Sequence, residues 1–219
     1  MSVLVLLRHG ESDGNAADVF TGWIDAGLSE HGRRQARQAG AALTARGFLP
    51  DVAHTSVQRR AVVTADLALA ACGRSWVPVR RSWRLNSNHY GALQGQRKAE
   101  VRARAGERQF TAWRRGFRVR PPLGEPDDDP RYAALPPGLR PRGESLYDVT
   151  ARLLPYWYDA VAGDLGRHRC VLVVSHGNTL RALVKHLEGV SDDASAGLEV
   201  PNAVPVCYRF QAGQATRLA

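Results

Sequence analysis

The 219-residue chain contains no apolar run near the ~20 residues that a membrane-spanning helix needs. Its first residues lack the basic start and small-residue cleavage site of a secretory leader, which predicts a cytoplasmic protein. Three cysteines, Cys72, Cys170 and Cys207, are odd in number and far apart. None stands in a CxxC pattern, so neither a disulfide framework nor a zinc site is expected, and the thiols read as small buried hydrophobes. Internal repeats, aromatic-interleaved RNA motifs and zinc-finger spacings are all missing, which argues against a nucleic-acid partner. Lysine is nearly absent: Lys98 and Lys185 are the only two. Arginine therefore carries almost all the positive charge behind a net of +9. Genomic base composition accounts for much of an Ala- and Arg-rich surface. A planar guanidinium also grips phosphate or carboxylate bidentately, so the excess suits a small anionic substrate equally well.

What is present alternates between strand-like and helix-like segments, the pattern of an α/β protein with a mostly parallel sheet. Val3–Leu7 is too short for an ordinary helix and reads as a buried strand. Ser29 is an N-cap for a helix from Glu30, with Ala36, Ala39 and Leu43 on one face and Gly47 as a left-handed stop. A short strand at Val52–His54 precedes a helix from Arg59 to Ala71 that Gly73 ends, and Val77–Arg80 suits an edge strand. Residues 83–142 change character. They are rich in Arg, Pro and Gly, and "PPLGEPDDDP" and "LPPGLRPRGES" cannot form long helices. Within a single domain spanning 1–219, such a stretch reads as a lid or binding insertion. Leu146, Val149, Leu153 and Trp157 then form a helical stripe with a kink expected at Pro155. Val171–Val174 is a second buried strand, Leu180, Leu183, Val184 and Leu187 line one helix face before Gly189, and Val204–Phe210 is a last strand. The tail "QAGQATRLA" suits a mobile lid.

Two of these strands end in the same way. Val3–Leu7 runs into "RHGES", and Val171–Val174 runs into "SHGN". Ligands of open α/β sheets bind outside the carboxyl ends of the strands, where both histidines then sit. A glycine after each lets the backbone turn sharply and approach a ligand. One histidine at a strand end is more often structural, but two in matching contexts, the first preceded by arginine, point to chemistry.

The blocks "RHGES", "FTGWIDAGLSEHG", "TSVQRRAVVT", "HYGALQG", "WRR", "ESLYDVTARLLPYW" and "SHGNTLRALVKHLEG" resemble, in that order, the cofactor-dependent (2,3-bisphosphoglycerate-dependent) phosphoglycerate mutases of the histidine phosphatase superfamily. The resemblance covers roughly Val3 to Phe210. It implies a three-layer α/β/α fold, a phosphoryl group carried on His9, and a phosphate pocket of Arg8, Arg60, His176 and Asn15. It further implies substrate contacts from Thr21, Gly22, Tyr90, Lys98, Arg114, Arg115, Gly177 and Asn178. No metal and no tightly bound cofactor is implied. The resemblance also implies priming of the histidine by 2,3-bisphosphoglycerate, a setting in glycolysis and a homo-oligomer, dimer or tetramer. Bottom-up, a neutral imidazole is a good nucleophile, and phosphoryl transfer depends mostly on positioning and on charge around the equatorial oxygens.

The sequence departs from the family at a chemically decisive place. The family's Leu-Asn-Glu-Arg-His-Tyr-Gly reads "LNSNHYG" here, so Ser87 stands where the resemblance puts the acidic proton donor and acceptor, and Asn88 stands for arginine. Gly14 replaces the usual tryptophan, and Asn202-Ala203 the usual Thr-Gly. A positioned acid–base is worth ~10²–10⁴ in rate, and a serine hydroxyl barely ionises at neutral pH. Three readings stay open: a mutase-type enzyme on phosphoglycerate or a related small phosphorylated acid, with Glu11, Glu100, Glu107, water or substrate moving the proton; a phosphatase or phosphotransferase on a related metabolite; and a phosphate-metabolite-binding pseudoenzyme.

Overall fold

The computed structural model describes residues 1–126 and 128–218. Its elements are β1 (Ser2–Arg8), α1 (Asp13–Ala16), α2 (Glu30–Ala45), β2 (Val52–Thr55), α3 (Arg59–Ala71), β3 (Val79–Arg81), α4 (Lys98–Ala105), α5 (Glu107–Arg115), α6 (Leu146–Tyr156), α7 (Ala162–Leu165), β4 (Cys170–Ser175), α8 (Gly177–Glu188), β5 (Val206–Gln211) and β6 (Gln214–Arg217). The six strands form one sheet in the order β3-β2-β4-β1-β5-β6. The first four are mutually parallel, and β5 and β6 are antiparallel additions.

Strand β1 is covered on both faces, which is why it reads as an unbroken apolar run. Alternation sends Leu4 and Leu6 to a core shared with Val171, Val173, Leu153, Trp157, Leu180 and Leu183. It sends Val5 and Leu7 to a second core with Leu172, Val174, Ala39, Leu43, Ala65 and Leu69. Helices α6 and α8 cover the first face; α2 and α3 cover the second. Each buried aliphatic side chain is worth ~1.5–3 kcal/mol, so Leu4–Leu7 alone fix this strand firmly between two helix layers.

The caps are where the sequence places them: Ser29 accepts from Gly32 N, and Gly47, Gly73 and Gly189 take positive φ. Three details differ. Pro155 lies inside α6, and the chain then widens into a π-helical turn at Trp157–Val161; proline supplies no amide donor, and the ladder re-registers after it. The tail after Phe210 is not a lid. Ala212 and Gly213, both at positive φ, turn it into β6, the edge strand against β5; Ala219 lies outside the described residues. Gly10 and Gly177 have ordinary φ, so neither serves a left-handed turn. A Cβ at Gly10 would lie 2.3 Å from Gly32 O, and one at Gly32 would lie 1.9 Å from Glu11 O. Both glycines serve close packing of the α2 N-terminus against the loop after β1.

The insertion lies over the carboxyl edge of the sheet. Its proline-rich parts hold only short 3-10 turns, Pro130–Tyr132 and Pro137–Leu139; Asp127, within "PPLGEPDDDP", lies outside the described residues. Helices α4 and α5 close a small core of Phe20, Leu93, Val101 and Phe110.

Below the sheet edge, His54 of β2 is buried with Nε2 3.1 Å from Asp164 Oδ2 and Nδ1 2.9 Å from the Tyr156 hydroxyl. Asp164 also faces Arg80 and Arg167, so its charge is offset without a proton on His54. Burial, opposed by Asp164, pushes His54 down to about 4. The unfolded imidazole protonates near pH 6.5 and the folded one near 4, so stability falls as pH drops through that window, by about 1.4 kcal/mol per pH unit for this group. Denaturant midpoints measured at pH 7 and pH 4.5 are expected to show the decline, and a smaller one in His54→Asn. Equal midpoints at the two pH values would contradict a neutral buried His54.

Candidate active site

Parallel pairing of β1 with β4 sets Arg8 opposite Ser175, so the next residues, His9 and His176, leave adjacent strands side by side. Their ring centroids are 5.0 Å apart and both are buried. Strand β2 pairs Thr55 with Val174, which brings Ser56 to the same edge. Around these ends lies a cavity of ≈ 260 Å³.

A hydrogen bond assigns the His9 tautomer. His9 Nδ1 lies 2.6 Å from Gly10 O, an acceptor only, so Nδ1 carries the proton and Nε2 keeps its lone pair. Ser56 Oγ accepts from Gln58 N and stands 2.8 Å from His176 Nε2. His176 Nδ1 is buried with no hydrogen-bond partner among the described residues. Burial, followed by the Arg60 charge, holds both imidazoles well below the usual histidine range. The pair thus offers one nucleophilic nitrogen and one neutral N–H donor.

Cations surround them. Arg60, at the start of α3, is almost completely buried and donates to Ile24 O, Gly22 O and Gln58 Oε1 at 2.9, 2.7 and 3.2 Å. Burial pushes it down to about 10. Arg8 donates to Val200 O at 3.0 Å, and its Nε is buried without a hydrogen-bond partner among the described residues. Asn15 sits in α1, its side-chain oxygen occupied by Ser12 in a reciprocal cap, which leaves its amide N–H groups for the cavity. Gly177 and Asn178 open α8, whose N-terminal amides favour an anion.

The residues expected to hold the rest of a substrate line the same cavity: Thr21, Gly22, Tyr90, Lys98, Arg114, Arg115, Gly177 and Asn178. Lys98 Nζ lies 2.8 Å from Asp18 Oδ1, and Arg115 donates to Glu199 Oε1 at 2.9 Å. Asn178 Nδ2 donates to Asn88 Oδ1 and to the Tyr90 hydroxyl at 2.7 and 3.2 Å. Thr21 Oγ1 is buried without a partner and sits where a Cβ on residue 14 would fall, at 2.3 Å, so Gly14 leaves the room that Thr21 fills. Asn202 donates to His9 O at 2.7 Å and Ala203 takes φ 53°, so both departures in that block bear directly on the histidine loop.

Ser87 also lines the cavity. Its backbone is held on three sides: N donates to Gln58 Oε1, and O accepts from Trp23 Nε1 and Arg152 at 2.7 and 2.9 Å. Arg152 in turn pairs with buried Glu144 at 2.7 Å. The glutamates offered as replacements lie elsewhere: Glu11 accepts from Ser29 Oγ, Glu107 pairs with Arg102, and Glu100 is exposed on α4. Among the described residues that line the cavity, Glu199 alone is acidic.

Several contributors escaped the sequence reading. Arg181, buried, pushed down to about 10 by burial and with Nε unpartnered, lines the cavity one helical turn beyond Asn178; the i, i+3 spacing was its signal. Ser56 and the Glu144–Arg152 pair carry no local signal, because their roles depend on elements far apart in sequence.

A mostly parallel α/β sheet with paired neutral histidines and arginines at its carboxyl edge defines a phosphoryl-transfer site. The sequence pattern described as "Histidine phosphatase superfamily (branch 1)" matches residues 4–218. The chain belongs to this superfamily. It is 54% identical over 213 residues, 94% of this chain and 84% of the relative, to a 2,3-bisphosphoglycerate-dependent phosphoglycerate mutase of Streptomyces avermitilis. It is 54% identical to the protein of that name from Thermobifida fusca, covering 96% of this chain and 87% of the other. Among solved structures, a mycobacterial glucosyl-3-phosphoglycerate phosphatase in complex with VO3 superposes with a TM-score of 0.76 at 29% identity, covering 100% and 97% of the two chains.

Imidazole NMR over a pH series tests the electrostatics. His9 and His176 are expected to stay neutral through pH 6, with the His9 proton on Nδ1. A midpoint at or above the ordinary 6.5 for either ring would contradict the assignment.

Proposed function

We propose that this chain is a phosphohistidine-forming phosphoryl-transfer enzyme of the phosphoglycerate mutase type, acting on phosphoglycerate or a related small phosphorylated acid. The observation that carries the reading is the fixed tautomer of His9, whose Nε2 lone pair lies in a cavity walled by Arg8, Arg60 and His176. The names of the most similar relatives support the same substrate class.

In this reading His9 Nε2 attacks phosphorus as the P–O bond to the substrate oxygen breaks; that oxygen leaves with the electron pair and takes a proton from solvent, while Nδ1–H, held by Gly10 O, stabilises the positive charge on the ring. Arg8, Arg60, Asn15 and His176 hold the equatorial oxygens, where preorganised donors contribute most. Arg114 and Arg115 take the substrate carboxylate, with Lys98, Tyr90, Thr21, Gly22 and Asn178 around its remaining oxygens. Unpartnered buried nitrogens at Arg8, Arg181 and His176 fit a polyanion such as 2,3-bisphosphoglycerate, which supplies a phosphoryl group to His9 when bound. No metal enters the scheme.

Ser87 supports a second reading, in which the chain hydrolyses or redirects the phosphoryl group of a related metabolite. In either case interconversion of phosphoglycerates lacks a positioned carboxylate at residue 87. The native rate is therefore expected to fall well below the ~10–10³ s⁻¹ of ordinary efficient enzymes. Ser87→Glu should raise it, by up to ~10²–10⁴ if the new carboxylate aligns. Steady-state assays of both proteins, primed with 2,3-bisphosphoglycerate, make the comparison. A native protein already at full mutase speed would show that residue 87 does not limit the reaction.

A further inference from the structure

We infer that Glu199 is a built-in competitor for the substrate carboxylate. It occupies Arg115 in the empty site, sets how tightly a phosphorylated acid binds there, and speeds its release. The inference rests on the reading of Arg114 and Arg115 as the carboxylate site, and it adds the residue that tunes that site.

The cavity wall is strongly cationic. Arg8, Arg60, Lys98, Arg114, Arg115 and Arg181 line it, and among the described lining residues only Glu199 opposes them. That carboxylate does not pair with the buried arginines, whose desolvation is largest. It pairs with Arg115, whose Nη2 donates to Oε1 at 2.9 Å, while Arg115 Nη1 donates to Ala196 O at 3.1 Å. Both Nη nitrogens of Arg115 are therefore engaged by one segment, residues 196–199. Arg114 forms no ion pair among the described residues, and its guanidinium lies 5.3 Å from the centre of the Phe110 ring. Two adjacent arginines assigned to the same ligand group thus stand in different states. One is an uncompensated cation, and the other already holds a carboxylate.

Only the Glu199 side chain has to move for a ligand to take its place. Arg8 donates to Val200 O at 3.0 Å, and the buried Ser195 hydroxyl donates to Asp192 O at 2.6 Å. The backbone is thus anchored on both sides of Glu199, whereas its side chain is 72% exposed. Across the pair, Arg181 donates to Arg115 O at 3.3 Å and holds that backbone as well. An incoming carboxylate therefore turns one exposed carboxylate out into water and takes over its guanidinium partner. An exposed ion pair contributes at most about fivefold to an equilibrium. Repulsion between the two carboxylates adds a factor of similar size. The outcome is weaker binding of the ground state without loss in the chemical step. Affinity shared equally by substrate and transition state does not raise turnover.

Titration calorimetry with 3-phosphoglycerate and with glycerol 3-phosphate, which carries a hydroxymethyl group in place of the carboxylate, tests this at ~0.15 M salt. The measured quantity is the preference for 3-phosphoglycerate, the ratio of the two dissociation constants. In Glu199→Gln that preference is expected to rise ~3–30-fold. Release of 3-phosphoglycerate, followed by stopped flow, should slow by a similar factor, because related complexes differ mostly in dissociation rate. In an Arg115→Met background the same substitution should change the preference by less than about twofold, since the competitor then has nothing to occupy. An unchanged or smaller preference in Glu199→Gln would overturn the inference. So would an equal gain with and without Arg115, which would mark a general charge effect. Either result leaves the carboxylate site standing where the native protein prefers 3-phosphoglycerate and Arg115→Met loses that preference. A native protein with no such preference overturns the carboxylate reading, and this inference with it.

Discussion

The site depends on the backbone register between β1 and β4. Arg8 lies opposite Ser175, and that single alignment sets His9 beside His176. A slip of one residue would move Leu4 and Leu6 to the face now occupied by Val5 and Leu7, reversing every core contact of the strand. The two apolar layers therefore enforce the register, and the register enforces the histidine pair. Packing far from the chemistry is what makes the chemistry's geometry precise to within a bond or two.

A second constraint is electrostatic. Taking charges out of water costs several kcal/mol each unless partners compensate. Arg60 recovers part of that cost from the carbonyls of Gly22 and Ile24, and Arg8 from Val200. Among the described residues neither arginine forms an ion pair with a carboxylate, and a buried Arg8 nitrogen has no hydrogen-bond partner. The cavity is thus built with donors in excess, and an incoming anion completes it. Burial, with the same positive field, holds His9 and His176 well below the usual histidine range, so in the proposed reading the arginines prepare the nucleophile as well as the pocket. On the opposite wall the buried Glu144–Arg152 pair holds the backbone of Ser87 in place. These contacts fix the backbone at residue 87 through its own N–H and C=O, whatever side chain it carries.

Most of this was legible in the chain because it is locally encoded. The strand-His-Gly units, the N-cap at Ser29 and the left-handed stop at Gly189 each announce themselves within a few residues. The sixth strand did not: Gln214–Arg217 is polar, and its turn uses Ala212 and Gly213 in place of the Asn-Gly that usually marks a hairpin. Gly10 was misread because its partner, Gly32, is remote in sequence, and steric need at a helix crossing looks the same as conformational need at a turn. The His9 tautomer and the Ser56–His176 contact were beyond reach for a similar reason. Ser56 and His176 are 120 residues apart, and only folding brings the hydroxyl to 2.8 Å from Nε2; for His9 only folding shows that the ring turns Nδ1 to Gly10 O.

The central claim is that His9 carries the phosphoryl group on Nε2, because Nδ1 is committed to Gly10 O. Phosphorylation with acetyl phosphate or 2,3-bisphosphoglycerate, followed by ³¹P and ¹⁵N NMR of the trapped protein, measures both the residue and the nitrogen. The account predicts a single phosphohistidine, at residue 9, substituted on Nε2. Phosphate on Nδ1, on His176 or on no histidine would contradict it.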